Sequence, residues 1–436
     1  MTKINSDLPV ILIDTSYWLY YRFFSLRNWY SRAYPEHYES SVSSTTNFNA
    51  VHNWLEDELF MTKYKKLFVD NIKKLCKRYK TKLENVILCI DCPHNEIWRH
   101  IKVKTENEKI NIKNEIIKKK KEKIDGEKID GEKIDDEKID DEKIDGVKID
   151  DEKVDVEKVE GEKIDDEKVD VEKVDEEIDD EESDTIIENI KPYKGTRLES
   201  HKKNNFNSFN IFNYMKTTFI PTIKDNNNNT IKIIYCSKCE ADDIIGQLSV
   251  YIDNHWKTQL NERNESSGGS GGNGGNGGNG GNQKKIYILA NDNDYLQVCN
   301  KNIKLINGLG KIISGEQGEN YYGDKYLISK ILLGDKSDNI KCCTIDSGYL
   351  QSGLSNNKIK NITKKCIDII FANPDKYSIF NTLLNDIRNN RELNNTSDIK
   401  KYITISKFKH NCNMMDFKML PEELKLNLYT LFSKII

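Results

Sequence analysis

The sequence has 436 residues, enough for two domains, and its formal net charge of −4 conceals two oppositely charged parts. Residues 122–184 carry 32 Asp or Glu against 11 Lys, a net charge of −21, whereas the other 373 residues carry 56 Lys or Arg against 39 acids, a net charge of +17. A basic body of this kind suits a polyanionic partner. No apolar run reaches the length of a membrane span, and ten cysteines without a signal peptide predict a soluble, intracellular chain in the cytoplasm or nucleus.

The first hundred residues have the pattern of a strand–helix–strand unit. Pro9–Ile13 is a continuous apolar run that ends at Asp14, and Val86–Ile90 is another that ends at Asp91. Such runs predict strands buried on both faces. Helical patterns between them cover Tyr17–Leu26 and Val51–Tyr79. The residues predicted to face the core from the longer helix are Leu55, Leu59, Leu67, Ile72 and Leu75. The order predicts a βαβ unit of a parallel sheet.

After Trp98 and Arg99 the regular pattern ends, and residues 122–180 repeat a five-residue unit, Glu-Lys-Ile-Asp followed by Gly or Asp. Five residues advance about 140° around an α-helix, so the apolar positions wander around its circumference. In a strand, an odd period changes the face at each repeat. Neither geometry gives an apolar face, so residues 105–187 are predicted to form a disordered, highly charged insertion.

The most informative stretch runs from Ile231 to Gly246. An apolar, β-branched run ends at Tyr235, and a helical pattern follows it, with Ile244, Ile245, Leu248 and Ile252 on one face. Three acids, Glu240, Asp242 and Asp243, therefore crowd the first turn of a helix. One acid there compensates the helix dipole. Three would repel one another unless a cation lay among them.

The second half of the chain continues the alternation. Residues 264–283, of which 266–282 are all Gly, Asn or Ser, are predicted to form a flexible linker. Lys285–Ala290 is a further apolar strand, followed closely by Asp292 and Asp294. Ile303–Ile306 and residues 311–314 predict a hairpin around a glycine-containing turn. From Tyr326 the pattern is mostly helical, around the segment Gly-Asp-Lys-Ser-Asp-Asn at residues 334–339.

Acidic residues thus follow four predicted strands. The carboxyl ends of parallel strands lie along one edge of a sheet, where ligands bind. The acids expected to meet there are Asp14, Asp91, Glu240, Asp242, Asp243, Asp292 and Asp294. Oxygen ligands without a histidine cluster favour Mg²⁺, with Mn²⁺ as a substitute. Two such ions about 4 Å apart can hydrolyse a phosphodiester.

Two cysteine pairs offer a different metal site. Cys89-x-x-Cys92 and Cys236-x-x-Cys239 have the spacing of a four-cysteine zinc site. Cys89 lies inside an apolar strand, however, and each pair overlaps a strand end that has its own acid. Buried, unligated thiols are therefore the favoured interpretation.

Seven short motifs, in this order along the chain, resemble the 5′–3′ exonuclease family, which includes flap endonucleases and phage 5′ nucleases. The motifs are Leu12-Ile-Asp-Thr-Ser16, Ile90-Asp-Cys-Pro93, Trp98-Arg99, Tyr193-Lys-Gly-Thr-Arg197, Glu240-Ala-Asp-Asp-Ile-Ile-Gly246, Asn291-Asp-Asn-Asp294 and Gly334-Asp-Lys-Ser-Asp-Asn339. Downstream of Asn339 the chain lacks the Ile-Pro-Gly and Gly-x-Gly segments usual in the family, which predicts a weaker or differently built grip on duplex DNA.

The resemblance implies an α/β fold: a PIN-like, mostly parallel sheet flanked by helices, a helical arch, and a C-terminal helix–three-turn–helix module. It assigns Asp14, Asp91, Glu240, Asp242 and Asp243 to a first metal ion, and Asp292, Asp294, Asp335 and Asp338 to a second. Lys194 and Arg197 match the family's basic pair that steers the scissile phosphate. Arg22, Arg99 and Lys336 are expected to contact nucleic acid.

The sequence therefore predicts a divalent-metal-dependent 5′ nuclease, a 5′–3′ exonuclease or flap endonuclease of replication or repair. Its predicted parts are a nuclease domain at residues 1–104 and 188–320, the insertion at residues 105–187, and a DNA-binding module at residues 321–436. DNA with 5′ ends or flaps is the predicted partner, and the acidic tract is predicted to recruit replication or repair proteins. Two alternatives stay open, a PIN-type ribonuclease and a catalytically weak scaffold that binds branched DNA.

Overall fold

The structure is a computed structural model that describes residues 3–35, 52–127, 193–194, 209–224, 231–266, 284–314, 322–346, 359–391, 403 and 405–436. The strands are β1 (Val10–Asp14), β2 (Val86–Ile90), β3 (Lys232–Tyr235), β4 (Ile286–Leu289), β5 (Ile303–Ile306), β6 (Thr344–Asp346) and β7 (Ile359–Asn361). The helices are α1 (Thr15–Ala33), α2 (Glu58–Arg78), α3 (Trp98–Glu127), α4 (Phe209–Tyr214), α5 (Ala241–Ser266), α6 (Asp324–Leu333), α7 (Lys364–Ala372), α8 (Pro374–Arg388), α9 (Ile405–Met415) and α10 (Glu422–Ser433). Short 3₁₀ turns and one π-helical turn, Met215–Phe219, connect some of them.

Five strands form one parallel sheet in the order β3-β2-β1-β4-β5. This confirms the predicted α/β class with a mostly parallel sheet flanked by helices. The order reverses on the two sides of β1, because the chain first adds β2 and β3 on one side and then β4 and β5 on the other. In open parallel sheets such a reversal leaves a crevice at the carboxyl ends of the strands.

Apolar side chains cover both faces of the sheet, as the continuous apolar runs predict. Within β1, Val10 and Leu12 belong to one buried cluster, and Ile11 and Ile13 belong to the other. Successive strand residues point to opposite faces, so a strand covered on both sides has no polar alternation. Helices α5 and α10 pack on the first face, and α1 and α2 pack on the second.

Helix α2 begins later than the sequence pattern predicts. Asp57 caps it by accepting a hydrogen bond from the backbone N–H of Phe60 at 2.9 Å. Leu55 therefore precedes the helix, and Leu55 and Leu59 are exposed, so the prediction that both face the core is wrong. Aromatic residues take the buried face instead. Its buried residues are Phe60, Met61, Tyr64, Phe68, Ile72, Leu75 and Cys76.

The structure also differs from the sequence prediction after Arg99. Helix α3 continues from Trp98 through Glu127, so the start of the predicted disordered insertion, residues 105–127, is helical. This stretch is rich in Lys, Glu and Ile and has no glycine before Gly126 and no proline, which suits a helix even without an apolar face. The rest of the repeat tract lies outside the described residues.

Two further expectations concern the second half of the chain. The predicted hairpin is present as a tight turn, in which the N–H of Asn307 donates to the carbonyl of Lys311 at 3.0 Å and Ile306 pairs with Ile312. The region from residue 322 is mostly helical, but β6 and β7 form an antiparallel ribbon between α6 and α7. The helix–three-turn–helix module and the arch stay predictions, because segments of both lie outside the described residues.

The chain separates into two compact units, residues 1–104 with 191–436, and residues 105–190. The sheet and the C-terminal helices belong to the first unit. Among the described helices, none combines the length and the apolar character that a membrane crossing requires.

Candidate active site

Asp14 and Asp91 lie side by side at the ends of two neighbouring strands. Asp14 closes β1 and caps α1 by accepting the Tyr17 N–H at 2.9 Å. Asp91 follows β2 directly, and its Oδ1 accepts the Ala241 N–H at the start of α5 at 2.8 Å. Burial, and then repulsion by Asp91, raise the pKa of Asp14 to about 7. The Asp91 carboxylate is therefore close enough to oppose the ionisation of Asp14.

Glu240, Asp242 and Asp243 form an acidic group at the start of α5, as the sequence predicts. They can each offer an oxygen to a common centre, with all three oxygens within 4.8 Å of one another. Burial, followed by repulsion from Glu240 and Asp243, raises the pKa of Asp242 well above its usual value. Such a group needs positive charge, and the protein supplies part of it.

Arg99 supplies one of those charges. Its Nη2 donates to Asp243 Oδ1 at 2.7 Å and its Nη1 to Glu240 Oε2 at 3.1 Å, while its Nε donates to the Met414 carbonyl at 2.8 Å. The residue is only 1% exposed. The Arg99 guanidinium is thus buried against carboxylates of the site, and its predicted contact with nucleic acid stays a prediction.

Lys194 supplies a second charge to the same group. Its Nζ lies 2.6 Å from Glu240 Oε1, and its backbone N–H donates to the Asp338 carbonyl at 3.3 Å. Lys194 therefore connects the Glu240 group with the turn that carries Asp338. Arg197, its predicted companion, lies outside the described residues.

A second acidic group consists of Asp294, Asp335 and Asp338, whose ligand oxygens also lie within 4.8 Å of one another. The ammonium of Lys330 on α6 contacts both Asp294 and Asp335, the latter at 2.8 Å. Burial, and then repulsion by Asp292, raise the pKa of Asp294 to about 6. The pKa of Asp335 is instead lowered to about 2. Burial alone would raise it, but the hydrogen bonds from Lys330 and Ser337 outweigh burial.

The turn after α6 explains why Asp335 and Asp338 lie together. Gly334 ends the helix with φ +69°, and a Cβ there would lie 2.5 Å from the Ile340 carbonyl oxygen. Asp335 and Ile340 then exchange backbone hydrogen bonds of 2.9 and 2.8 Å, which close a tight turn. The glycine of the Gly-Asp-Lys-Ser-Asp-Asn motif is thus required by backbone geometry.

Tyr295 lies close to acids from several elements. Its hydroxyl is 3.5 Å from Asp14 Oδ2. Burial raises its pKa well above the usual value, and so do the charges of four acids from different elements, namely Asp14, Asp242, Asp292 and Asp91. The crevice is thus the region around Tyr295 where acids from the ends of β1, β2 and β4 and from the start of α5 lie near one another. Asp292 itself is exposed and accepts the Asp294 N–H at 2.9 Å.

The remaining predicted contacts with nucleic acid have different surroundings. Arg22 donates from Nη2 to the Gly308 carbonyl at 2.7 Å, and its guanidinium lies 4.0 Å from the centre of the Trp18 ring. It thus fastens the turn after β5 to α1. Lys336 is exposed on the turn between Asp335 and Asp338. The predicted roles of both residues stay predictions.

Sequence reasoning missed three residues of the crevice. Ser16 donates to Asp91 Oδ2, Lys216 lies 2.8 Å from Ser16 Oγ and 3.9 Å from Asp91 Oδ2, and Lys330 bridges Asp294 and Asp335. Ser16 is part of a motif that the sequence displays. Lys216 and Lys330 belong to none of the motifs, and no spacing pattern in the sequence points to them.

The chemistry of the donors fits a hard divalent cation. Both groups consist of carboxylates, whose oxygens Mg²⁺ and Mn²⁺ prefer. Zinc in a cysteine site would need thiolates. Burial raises the pKa of Cys92 to about 12 and that of Cys89 well above its usual value, whereas a hydrogen bond with Cys239 lowers the pKa of Cys236. Among the described residues, no cysteine belongs to a group of three or more side chains whose ligand atoms could share an ion. Unligated thiols remain the favoured prediction for the cysteine pairs.

No protein-family model matches the sequence, and no curated protein matches it. Solved structures do match. One is the bacteriophage T5 D15 protein co-crystallised with metal ions, at 9% identity and a TM-score of 0.37, with 98% of each chain covered. A second is the T5 D15 flap endonuclease in a pseudo-enzyme–product complex with DNA and metal ions, at 9% identity, a TM-score of 0.41 and 98% coverage of each chain. A third is the T5 5′-exonuclease with zinc bound, at 10% identity and a TM-score of 0.37, with 98% of this chain and 99% of that chain covered.

These proteins are of the class that the sequence motifs resemble. Because the identities and TM-scores are low, the assignment of function below depends on the residues of the crevice.

Proposed function

We propose that the chain is a divalent-metal-dependent 5′ nuclease that hydrolyses phosphodiester bonds in DNA, as a 5′–3′ exonuclease, a flap endonuclease or both. One observation carries the proposal. Two groups of carboxylates, each suited to a cation, follow β3, β4 and α6, and Asp14 and Asp91 lie at the ends of the neighbouring strands β1 and β2. A pure binding protein gains nothing from carboxylates that repel phosphates.

Divalent cations at such a site supply Lewis-acid catalysis of phosphodiester hydrolysis. Asp14, Asp91, Glu240, Asp242 and Asp243 would hold one ion, and Asp292, Asp294, Asp335 and Asp338 the other. Mg²⁺ is the proposed ion, with Mn²⁺ as a substitute. Both groups include buried carboxylates whose raised pKa values show the cost of leaving their charge uncompensated.

The chain's own cations have distinct tasks. Arg99 balances the charges of Glu240 and Asp243 inside the protein, because its buried guanidinium lies 3.1 and 2.7 Å from their oxygens. Lys194 is 13% exposed at its side chain and lies against the outer oxygen of Glu240, a position from which an ammonium can meet a substrate phosphate. The excess of basic residues outside the acidic tract would attract the DNA backbone.

The test is a cleavage assay with purified protein on 5′-flap, nicked and single-stranded DNA and on RNA of the same sequence, with Mg²⁺ or with EDTA. We expect Mg²⁺-dependent cleavage of DNA near its 5′ end that leaves a 5′-phosphate. Cleavage of RNA alone would favour the PIN-type ribonuclease. Binding of branched DNA without any cleavage would favour the scaffold.

Asp242→Asn is the matched inactive variant. It removes one carboxylate of the first group, which is 20% exposed at its side chain and is 4.0 Å from Arg99. We expect cleavage to fall at least about a hundredfold, while binding of flap DNA changes less than about threefold, since phosphate contacts dominate affinity. Unchanged cleavage by this variant would contradict the assignment of the site. A role in replication or repair is the proposed use of this activity.

A further inference from the structure

The Asp91 carboxylate has a cationic neighbour that no motif marks. Among the described residues, Lys216 is the basic side chain whose ammonium lies within 4.0 Å of Asp91. The other cations of the crevice contact different acids: Arg99 and Lys194 contact the Glu240 group, and Lys330 contacts Asp294 and Asp335. Lys216 therefore serves the β1–β2 side of the crevice.

The backbone presents Lys216 in a fixed way. It lies on the π-helical turn Met215–Phe219, and such turns recur at functional sites. Met215 is fully buried in the core with α1 and α2, and Phe219 packs edge-on against Phe68 with ring centres 6.4 Å apart. Anchors on both sides of Lys216 limit the positions that its ammonium can reach.

The contacts of Lys216 form a short chain. Its Nζ donates to Ser16 Oγ at 2.8 Å, and the Ser16 hydroxyl donates to Asp91 Oδ2. Asp91 Oδ1 is held from the other side by the Ala241 N–H at 2.8 Å. One carboxylate is thus oriented by α1, by α5 and by the π-helical turn. The Lys216 side chain is 24% exposed, so its charge is not fully covered by the protein.

We propose that Lys216 is a further positioning residue of the nuclease site, which orients Asp91 through Ser16 and places a positive charge where the phosphodiester approaches. This rests on the proposed nuclease function. The charge has two opposite effects. It repels a divalent cation that binds at Asp14 and Asp91, and it attracts the negative charge of the substrate and of the reaction's transition state.

The test compares Lys216→Met and Lys216→Arg with the full-length protein. Lys65→Met is the matched control, because Lys65 donates to the Tyr214 hydroxyl at 2.8 Å beside the same turn and contacts no acid of the crevice. Two quantities are measured: the affinity for Mn²⁺ alone by calorimetry, and the single-turnover cleavage rate on flap DNA at saturating Mg²⁺.

For Lys216→Met we expect Mn²⁺ to bind about threefold to tenfold more tightly and cleavage to slow about tenfold to a hundredfold. Lys216→Arg and Lys65→Met should stay within about threefold of the wild type in both measurements. Opposite changes in metal affinity and rate distinguish an electrostatic role from a loss of folding, which would weaken both. Lys216→Gln, a second neutral variant, is expected to behave like Lys216→Met and replaces it if the methionine variant does not fold.

If the wild type cleaves DNA, and Lys216→Met and Lys216→Gln match Lys65→Met in both measurements, the proposal for Lys216 is overturned and the proposed function stands. Absence of Mn²⁺ binding by the wild type would overturn the proposed function, and the role of Lys216 with it. If the wild type binds Mn²⁺ without cutting DNA, the nuclease assignment fails, and the positioning role falls with it.

Discussion

Asp242 and Asp243 are neighbours in the sequence, but the structure predicts opposite effects on stability when each is changed to asparagine. Asp243 is completely buried and accepts from both Nη atoms of Arg99, at 3.0 and 2.7 Å. Asp242 has no comparable partner, since its nearest approach to Arg99 is 4.0 Å. Asp243→Asn thus breaks a buried ion pair, whereas Asp242→Asn removes a carboxylate with an unfavourable charge.

The loss of stability in Asp243→Asn depends on the contacts that Arg99 keeps. Removing one partner of a buried ion pair costs about 3–5 kcal/mol. Glu240 stays 3.1 Å from Arg99 Nη1, so the lower limit, about 3 kcal/mol, applies. With an unfolding entropy of about 2.1 cal/mol/K per residue, that free energy lowers the thermal midpoint of a protein of this size by about 3–4 °C. The pKa of Asp242, in contrast, is raised mainly by burial and then by Glu240 and Asp243. A carboxylate with a raised pKa destabilises the fold when it ionises, so Asp242→Asn should leave the free energy of unfolding unchanged or increase it.

The assay is thermal unfolding followed by circular dichroism, at pH 7.5 in EDTA, for the wild type and the two variants. We expect Asp243→Asn to unfold well below the wild type and Asp242→Asn to unfold at or above it. Midpoints of the two variants within about 1 °C of each other would refute the assignment of Arg99 and Asp243 as a structural ion pair, since that pair predicts a difference of about 3–4 °C.

Three further expectations follow. In EDTA the free energy of unfolding should fall as pH rises from about 4 to about 7. Folded Asp14, with a pKa of about 7, and folded Asp294, with a pKa of about 6, release protons at higher pH than the unfolded chain does, and together they outweigh His100, whose burial lowers its pKa to about 4 and which acts in the opposite direction. Melting curves across this range test it, and flat or rising stability would contradict it. Mg²⁺ at about a hundred times its Kd should restore about 2.7 kcal/mol. Gly334→Ala should lower the thermal midpoint more than Gly323→Ala. Both glycines have positive φ, but only at Gly334 does a backbone oxygen lie 2.5 Å from the added Cβ. Equal midpoints for the two variants would show that the turn after α6 shifts to accept the Cβ and would contradict this expectation. Deletion of residues 128–182, which lie outside the described residues, should tighten binding of flap DNA at low ionic strength, because an acidic tract competes with phosphates for basic residues. Fluorescence anisotropy compares the affinities of the full-length and the deleted protein, and equal affinities would exclude the competition.

The sheet and the position of the crevice could be predicted because their signals are local. Each central strand is an apolar run followed within a few residues by an acid, as in Ile13 and Asp14 or Ile90 and Asp91. Both faces of the sheet are covered, so the runs are continuous, and parallel strands bring their following acids to one edge. Local order along the chain was thus enough to place the acids together.

The cations of the crevice could not be predicted in the same way, because their contacts join distant parts of the chain. Arg99 bonds to the Met414 carbonyl, 315 residues away, and Lys216 bonds to Ser16, 200 residues away. Neither separation produces a periodic pattern. The motif around Arg99 correctly drew attention to the residue, but a motif does not say whether a guanidinium faces solvent or the protein interior.

The charges at the crevice also indicate how many ions the site holds. Its nine acids are Asp14, Asp91, Glu240, Asp242, Asp243, Asp292, Asp294, Asp335 and Asp338, and its four cations among the described residues are Arg99, Lys194, Lys216 and Lys330. When all are ionised, the excess is five negative charges. One divalent ion would leave three of them and two would leave one, so near-neutrality favours two ions. Titration with Mn²⁺ at pH 8, where Asp14 and Asp294 have lost their protons, should therefore approach two ions per chain, and saturation at one ion would contradict this balance of charge.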